Sequence, residues 1–137
     1  MPVTLKQKIK FNVPPAKLYR FYTDSKLHGE LVGGKARVSL EAGAAFSAFG
    51  GDLKGKTLHA KKSKIFIQTW RGSHWSKDDM DSVLILIFRP TEKGTELEMV
   101  HANVPEHDAD GVKDGWNEYY WNPWKEYIIT SKNHRTS

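Results

Sequence analysis

Polar and apolar residues alternate from the start of the chain. Between Val3 and Val13, Lys6, Lys8 and Lys10 interleave with Gln7, Ile9 and Phe11. That period of two predicts a half-buried strand with a basic outer face. The period then changes. Pro14 and Pro15 suit a helix start, where the first turn needs no internal N–H donor, and Leu18, Phe21 and Tyr22 follow at helical spacing. Thr23 or Asp24 is placed to cap a second short helix, Ser25 to Leu31, which Gly33-Gly34 ends.

From Lys35 onward the pattern reads as strands. KARVSL and AAFSAF flank a turn at Glu41-Ala42-Gly43, and LKGKTLHAK, KIFIQTWRG, DSVLILIFRP and TELEMVHANV follow. The turn Thr91-Glu92-Lys93-Gly94 joins the last two as a hairpin. In AFSAFGGDLKGK, Phe46 and Phe49 are expected on opposite strand faces, Gly50-Gly51 bends the chain, and Gly55 permits a close backbone approach. The C-terminal segment returns to a helical period. Trp116, Tyr120, Trp124 and Tyr127 or Ile128 form one stripe of a long helix, with Asp108 or Asp110 as its cap and Pro123 as a kink. A single domain over residues 1–131 is expected, with a fraying polar tail at 132–137.

The order is strand, two short helices, about six strands and one long helix: an α+β chain. Short turns between the strands make the sheet antiparallel. One face of that sheet needs cover, and the aromatic stripe of the last helix supplies it. Such an arrangement encloses space between sheet and helix.

Composition narrows the picture. The 137 residues suit one domain, and a chain of this size buries roughly two thirds of its unfolded surface. The absence of cysteine excludes disulfides, thiolate catalysis and Cys-ligated metal, and makes a reducing cytoplasm the expected compartment. The N-terminus lacks the apolar run of a signal peptide. The longest apolar run, Val83 to Phe88, is too short to span a bilayer, so no membrane insertion is expected. Lys and Arg number 21 against 16 Asp and Glu, a net charge of +5, which reads as a solvated basic surface or an acidic partner. No RNA-binding signature accompanies the basic strands, and nucleic acid is not an expected partner.

Several candidate chemistries fail on context. Gly50 to Thr57 has the G-x-x-x-x-G-K-T spacing of a phosphate-binding loop. That loop must open a helix, and here strand formers follow. The histidines show no paired spacing on one element, so no metal site is expected. No nucleophile elbow G-x-S-x-G occurs. Asp78, Asp79 and Asp81 form a solvated acidic loop without calcium-loop spacing.

Five stretches fall in order along the chain: VPPAKLYRFYTD, FGGDLKGK, IQTWRGSHW, GTELEMVHANVP and GWNEYYWNPWKEY. Together they resemble the activator of Hsp90 ATPase homologue family, within the START and Bet v-like superfamily (SRPBCC). The resemblance implies a helix-grip fold, a curved antiparallel sheet of about six or seven strands wrapped around a long C-terminal helix. It places the glycine string between two strands. It is a resemblance to the C-terminal of the eukaryotic co-chaperone's two domains, and so implies Hsp90 as a partner and its ATPase, in stress response, as the modulated activity.

On this frame, Phe66, Trp70, Leu86, Met99, His101, Trp116 and Tyr120 are expected to line a cavity. It would hold a small, flat, apolar molecule, lipid-like or polyphenolic, with no cofactor. His101 reads either as a polar anchor in that cavity or as a core histidine bonded to a neighbour such as Tyr120 or Thr57. Trp75 and Asp79 are candidates for a rim or partner contact. A ligand-binding domain, a co-chaperone-like interaction domain and, as superfamily cyclases and hydrolases imply, an enzyme using His101 and Tyr120 are the three readings. The first is favoured, and the protein is expected not to be an enzyme.

Overall fold

The computed structural model describes the backbone of residues 1–136 and the side chains of residues 1–131. The side chains of the expected tail, 132–137, lie outside the described residues. The elements run β1 (Val3–Phe11), α1 (Pro15–Thr23), α2 (Ser25–Val32), β2 (Ala45–Ala48), β3 (Leu53–Lys61), β4 (Ile65–Gly72), β5 (Ser82–Thr91) and β6 (Gly94–Val104). A C-terminal helical rod follows: α3 (Ala109–Gly115), a π-helical turn (Trp116–Trp121) and α4 (Asn122–Thr136).

The helix ends follow from local chemistry. Pro14 precedes α1, and its carbonyl accepts from Lys17 and Leu18. Asp24 caps α2 by accepting from the Leu27 N–H at 3.1 Å. Gly33 ends it in the left-handed region, at φ 78°, which glycine enters without steric cost.

All strand pairings are antiparallel, in the order β1-β6-β5-β4-β3-β2. KARVSL adds no strand, only a bridge between Arg37 and Ser47, so the sheet has six strands. Strict alternation sorts the side chains. Phe66, Gln68 and Trp70 of β4, Leu84, Leu86 and Phe88 of β5, and Leu97, Met99 and His101 of β6 are all buried on the inner face. The helices α1 and α2 and the C-terminal rod cover that face. Each large apolar side chain buried there contributes about 1.5–3 kcal/mol.

The glycine string does what a bend requires. Gly50 and Gly51 take φ of 67° and 109°, in a short 3-10 turn, Phe49–Gly51, between β2 and β3. A Cβ on Gly55 would lie 1.9 Å from the Thr69 carbonyl oxygen, so the β3–β4 approach excludes any side chain there. Phe49 differs from expectation. It leaves the strand pattern, takes φ 52° and becomes part of the turn. The preceding strand ends at Ala48 because the two glycines already reverse the chain.

The C-terminal rod also departs from a simple stripe. Val112, Trp116, Tyr120, Trp121, Trp124 and Ile128 are all buried. A regular α-helix puts Trp121 about 140° around the axis from Trp116 and cannot stack the two indoles as they are found here. The π turn can, because its extra residue shifts the phase: the Asn122 N–H reaches back to the Asn117 carbonyl, five residues away. Pro123 stands directly after this turn. Having no N–H, it cannot extend the ladder, and the widened turn precedes the position where its ring would crowd a regular helix.

Candidate functional site

The interior between sheet and rod is largely filled. Trp116 stacks on Trp121 with ring centroids 5.2 Å apart and meets Tyr120 at 4.6 Å. Tyr22 reaches the same cluster from α1, stacking on Phe46 at 6.0 Å and packing on Phe66 at 5.6 Å. Phe66, Leu86 and Met99 are fully covered by this packing. Of the residues expected to line a cavity, those three and His101 belong to the closed core.

Two buried histidines organise the polar atoms of this core. The Trp116 indole N–H donates to His101 Nδ1 at 3.1 Å. An acceptor at Nδ1 leaves the proton on Nε2, which donates to Ser82 Oγ at 2.7 Å. Ser82 Oγ in turn donates to the Trp70 carbonyl at 2.8 Å. Burial pushes the His101 imidazole down to about 3, so it is neutral. His101 is therefore a core histidine, but its partners are Ser82 and Trp116. Thr57 donates elsewhere, to the Ser39 carbonyl, and Tyr120 serves the second histidine.

That second histidine is His28 of α2. Its Nδ1 donates to the Tyr22 carbonyl at 2.8 Å, and its Nε2 accepts from the Tyr120 hydroxyl at 2.8 Å. Burial lowers its pKa to about 4, against the opposing pull of the Tyr22 carbonyl. The same burial raises Tyr120 far above the ordinary phenol value. The Tyr22 hydroxyl donates to Gln68 Oε1, while Gln68 Nε2, Trp70 Nε1 and Trp124 Nε1 are buried without a partner among the described residues.

Open space begins at one end of this core. A cleft of about 450 Å³ is lined by Trp70, Trp116 and Tyr120 from the predicted set, joined by Phe49, Asp52 and Leu53 of the glycine bend. The β4–β5 loop adds Ser73 and His74, Asp108 joins them from just before α3, and the helical rod adds Gly111, Val112, Gly115 and Tyr119. Phe49 packs edge-on against Tyr119, with centroids 5.5 Å apart, and against Tyr120 at 6.2 Å. The cleft lies within the volume range typical of small-molecule sites.

Its polar rim is tied together by Asp108. Asp108 precedes α3 but makes no side-chain cap bond. Its Oδ2 instead accepts from the Trp75 indole N–H at 2.7 Å and from His74 Nε2 at 2.9 Å. Trp75 is accordingly buried, packed on Trp70 at 5.6 Å, and supports the cleft from behind. Asp79 accepts from the Ser76 N–H at 2.9 Å and from His107 Nε2 at 2.7 Å. The His107 bond is the leading cause of its lowered pKa. Arg71 secures the same loop through the Asp79 carbonyl at 2.7 Å and the Asp81 carboxylate at 3.1 Å. Among the described residues, no three His, Cys, Asp or Glu side chains gather as a metal site would need.

Phe49, Asp52, His74, Asp108 and Tyr119 went unread as site residues. The available signal was a phenylalanine placed beside two turn glycines, and the doubled tyrosine in WNEYYW, where one aromatic must leave the stripe. His28 and Ser82 carried no local signal, because their partners are remote in sequence.

Known proteins share this architecture. A Plasmodium falciparum Hsp90 activator superposes with a TM-score of 0.78 at 25% identity, covering 87% of this chain and 91% of that one. A Mesorhizobium loti protein does so with a TM-score of 0.79 at 25% identity, over 94% and 98%. By sequence, the chain is 25% identical over 124 residues to the human activator of 90 kDa heat shock protein ATPase homolog 1, covering 90% of this chain and 36% of that protein. The Dictyostelium discoideum homolog is 26% identical over 113 residues, 82% of this chain and 30% of that protein. The chain thus spans about a third of the length of these curated relatives. Residues 12–128 match the model of the family described as Activator of Hsp90 ATPase homolog 1-like protein, and the chain belongs to that family.

Proposed function

We propose that the chain is a non-catalytic binding domain whose site is the aromatic cleft between the glycine bend and the helical rod. The carrying observation is the cleft itself, about 450 Å³, walled by Phe49, Trp70, Trp116, Tyr119 and Tyr120. Such walls suit a small, flat, largely apolar molecule. A non-catalytic role accords with the committed state of the two acid–base candidates. Both His101 nitrogens are engaged, and the Tyr120 hydroxyl is spent on His28. In an NMR titration with flat apolar compounds, saturable shifts are expected at Phe49, Trp70, Trp116 and Tyr120. The absence of saturable shifts at these residues would refute the reading.

A second reading, docking on cytoplasmic Hsp90 with modulation of its ATPase, draws on the Plasmodium relative, whose chain is matched over 91% of its length. It draws also on the outer face of the sheet. There Ile65, Ile67, Val83, Ile85, Ile87 and Val100 are only half-buried and lie side by side in register. Lys6 of β1 stands opposite Val100 and Lys61 of β3 opposite Ile65, while Glu98 of β6 lies between Ile87 and Lys8. An apolar strip flanked by Lys6 and Lys61 fits an acidic protein surface with an apolar centre. Trp75 and Asp79, the contacts expected from sequence, are occupied within the fold. Pull-down with Hsp90 at low salt, where charge-driven contacts are strongest, together with an ATPase assay, tests this reading. No binding under those conditions removes it.

A further inference from the structure

We propose that the ligand of the cleft carries an organic cation, an alkylated or aromatic ammonium group, recognised by the aromatic walls and by Asp52 and Asp108. This inference rests on the cleft being a ligand site and adds the charge of what it holds. The chain has 21 Lys and Arg against 16 Asp and Glu, yet among the described residues no Lys or Arg lines the cleft, whereas two aspartates do. In a protein of net charge +5, that is a local reversal of sign.

The two carboxylates are presented by ordered backbone. Asp52 closes the 3-10 turn through its N–H to the Phe49 carbonyl, and its own carbonyl accepts from the Ser73 N–H at 2.8 Å. Asp108 is held through Oδ2 by Trp75 and His74. Its Oδ1 is the atom that a Cβ on the cleft residue Gly111 would meet, at 3.0 Å, so a glycine there keeps this oxygen uncovered. The aromatic walls complete the chemistry. The face of an aromatic ring is the negative pole of its quadrupole, and several rings around one volume attract a cation while shedding its water. An anionic headgroup would meet the aspartates without a compensating Lys or Arg, and a neutral molecule would leave them unused.

Three benzyl probes separate these cases: benzyltrimethylammonium, its neutral carbon isostere neopentylbenzene, and the anion phenylacetate. Each is titrated into the intact chain at low salt and followed by NMR at the cleft residues. The expected order is the cation several-fold tighter than the isostere, with phenylacetate weakest by at least tenfold. Added salt should weaken the cation alone. Asp52→Asn should lower cation affinity several-fold while leaving the isostere unchanged, and Asp108→Asn should lower cation affinity as well. Asp52 is exposed, so its variant reports on charge without disturbing the Trp75 and His74 bonds. If the isostere binds as tightly as the cation, or phenylacetate binds best, the charge inference is overturned and the cleft reading stands. If none of the three binds saturably, both fall.

Discussion

His28 and His101 are buried alike, yet their partners require opposite tautomers. His28 faces a carbonyl at Nδ1 and a hydroxyl at Nε2, and so carries its proton on Nδ1. His101 receives an indole N–H at Nδ1 and must carry it on Nε2. Long-range proton–nitrogen NMR at pH 7 should show one histidine of each tautomer, and two alike would break the derived hydrogen-bond chain. The same pair governs acid stability. Both folded pKa values, about 4 and about 3, lie below the ordinary 6.5. The unfolded chain therefore binds more protons between those limits, and stability is full above pH 6.5 and lost as pH falls toward 4. Each histidine should contribute a slope of about 1.4 kcal/mol per pH unit in that window. His28→Gln should flatten the urea-derived stability profile whatever its effect at pH 7. The Tyr22–Gln68 pair offers a second check at this scale. Tyr22→Phe alone leaves the whole Gln68 amide buried and unpaired and should cost about 1–3 kcal/mol. Adding Gln68→Met removes the orphaned amide, so the double variant should be more stable than the single one in a urea titration.

The element that shapes the cleft is the π turn. Its phase shift brings Tyr120 and Trp121 inward together, leaving Tyr119 beside Phe49 at the mouth. Deleting the exposed Glu118 would restore a regular helix, keep Trp116 and Trp124 on one face at a seven-residue spacing, and set Pro123 inside an unbroken ladder. The expected loss is at least about 3 kcal/mol, the usual penalty for proline in a helix interior. Combining the deletion with Pro123→Ala should recover part of it, as urea denaturation of both variants would show. This element also marks where sequence reading reached and where it stopped. Pro14, Asp24 and Gly33 set helix ends by local chemistry and were legible, as were β4 to β6, whose alternation is strict. Pro123 signalled a disturbance in the rod, but a kink and a π turn leave the same trace in a sequence. The KARVSL segment alternates like a strand, yet it pairs only at Arg37. The core side of each strand was readable from its period. Which inward side chains would close the interior, and which would border open space, depended on how Tyr22 and Trp121 fill the middle, a contact between elements that no local pattern encodes.

On the scale of the whole molecule, one sheet presents two unlike faces. The inner face is packed against the helices and sets stability, while the outer face exposes an aliphatic strip flanked by Lys6 and Lys61. If docking uses that strip, stability and partner binding should be separable by face. Leu86→Ala, on the closed inner side, should cost about 2–5 kcal/mol in urea denaturation and leave Hsp90 affinity unchanged under conditions where the variant remains folded. Ile85 neighbours Leu86 in the same strand and points the other way. Ile85→Glu should cost less stability, since its site is half-open, while placing a negative charge in a strip bordered by lysines. It should weaken Hsp90 binding at low salt by tenfold or more, because it removes apolar contact and reverses the local charge that draws an acidic surface. Equal binding by the wild type and the Ile85→Glu chain would move docking off this face, and the edge strands β1 and β2 would be the next surfaces to vary.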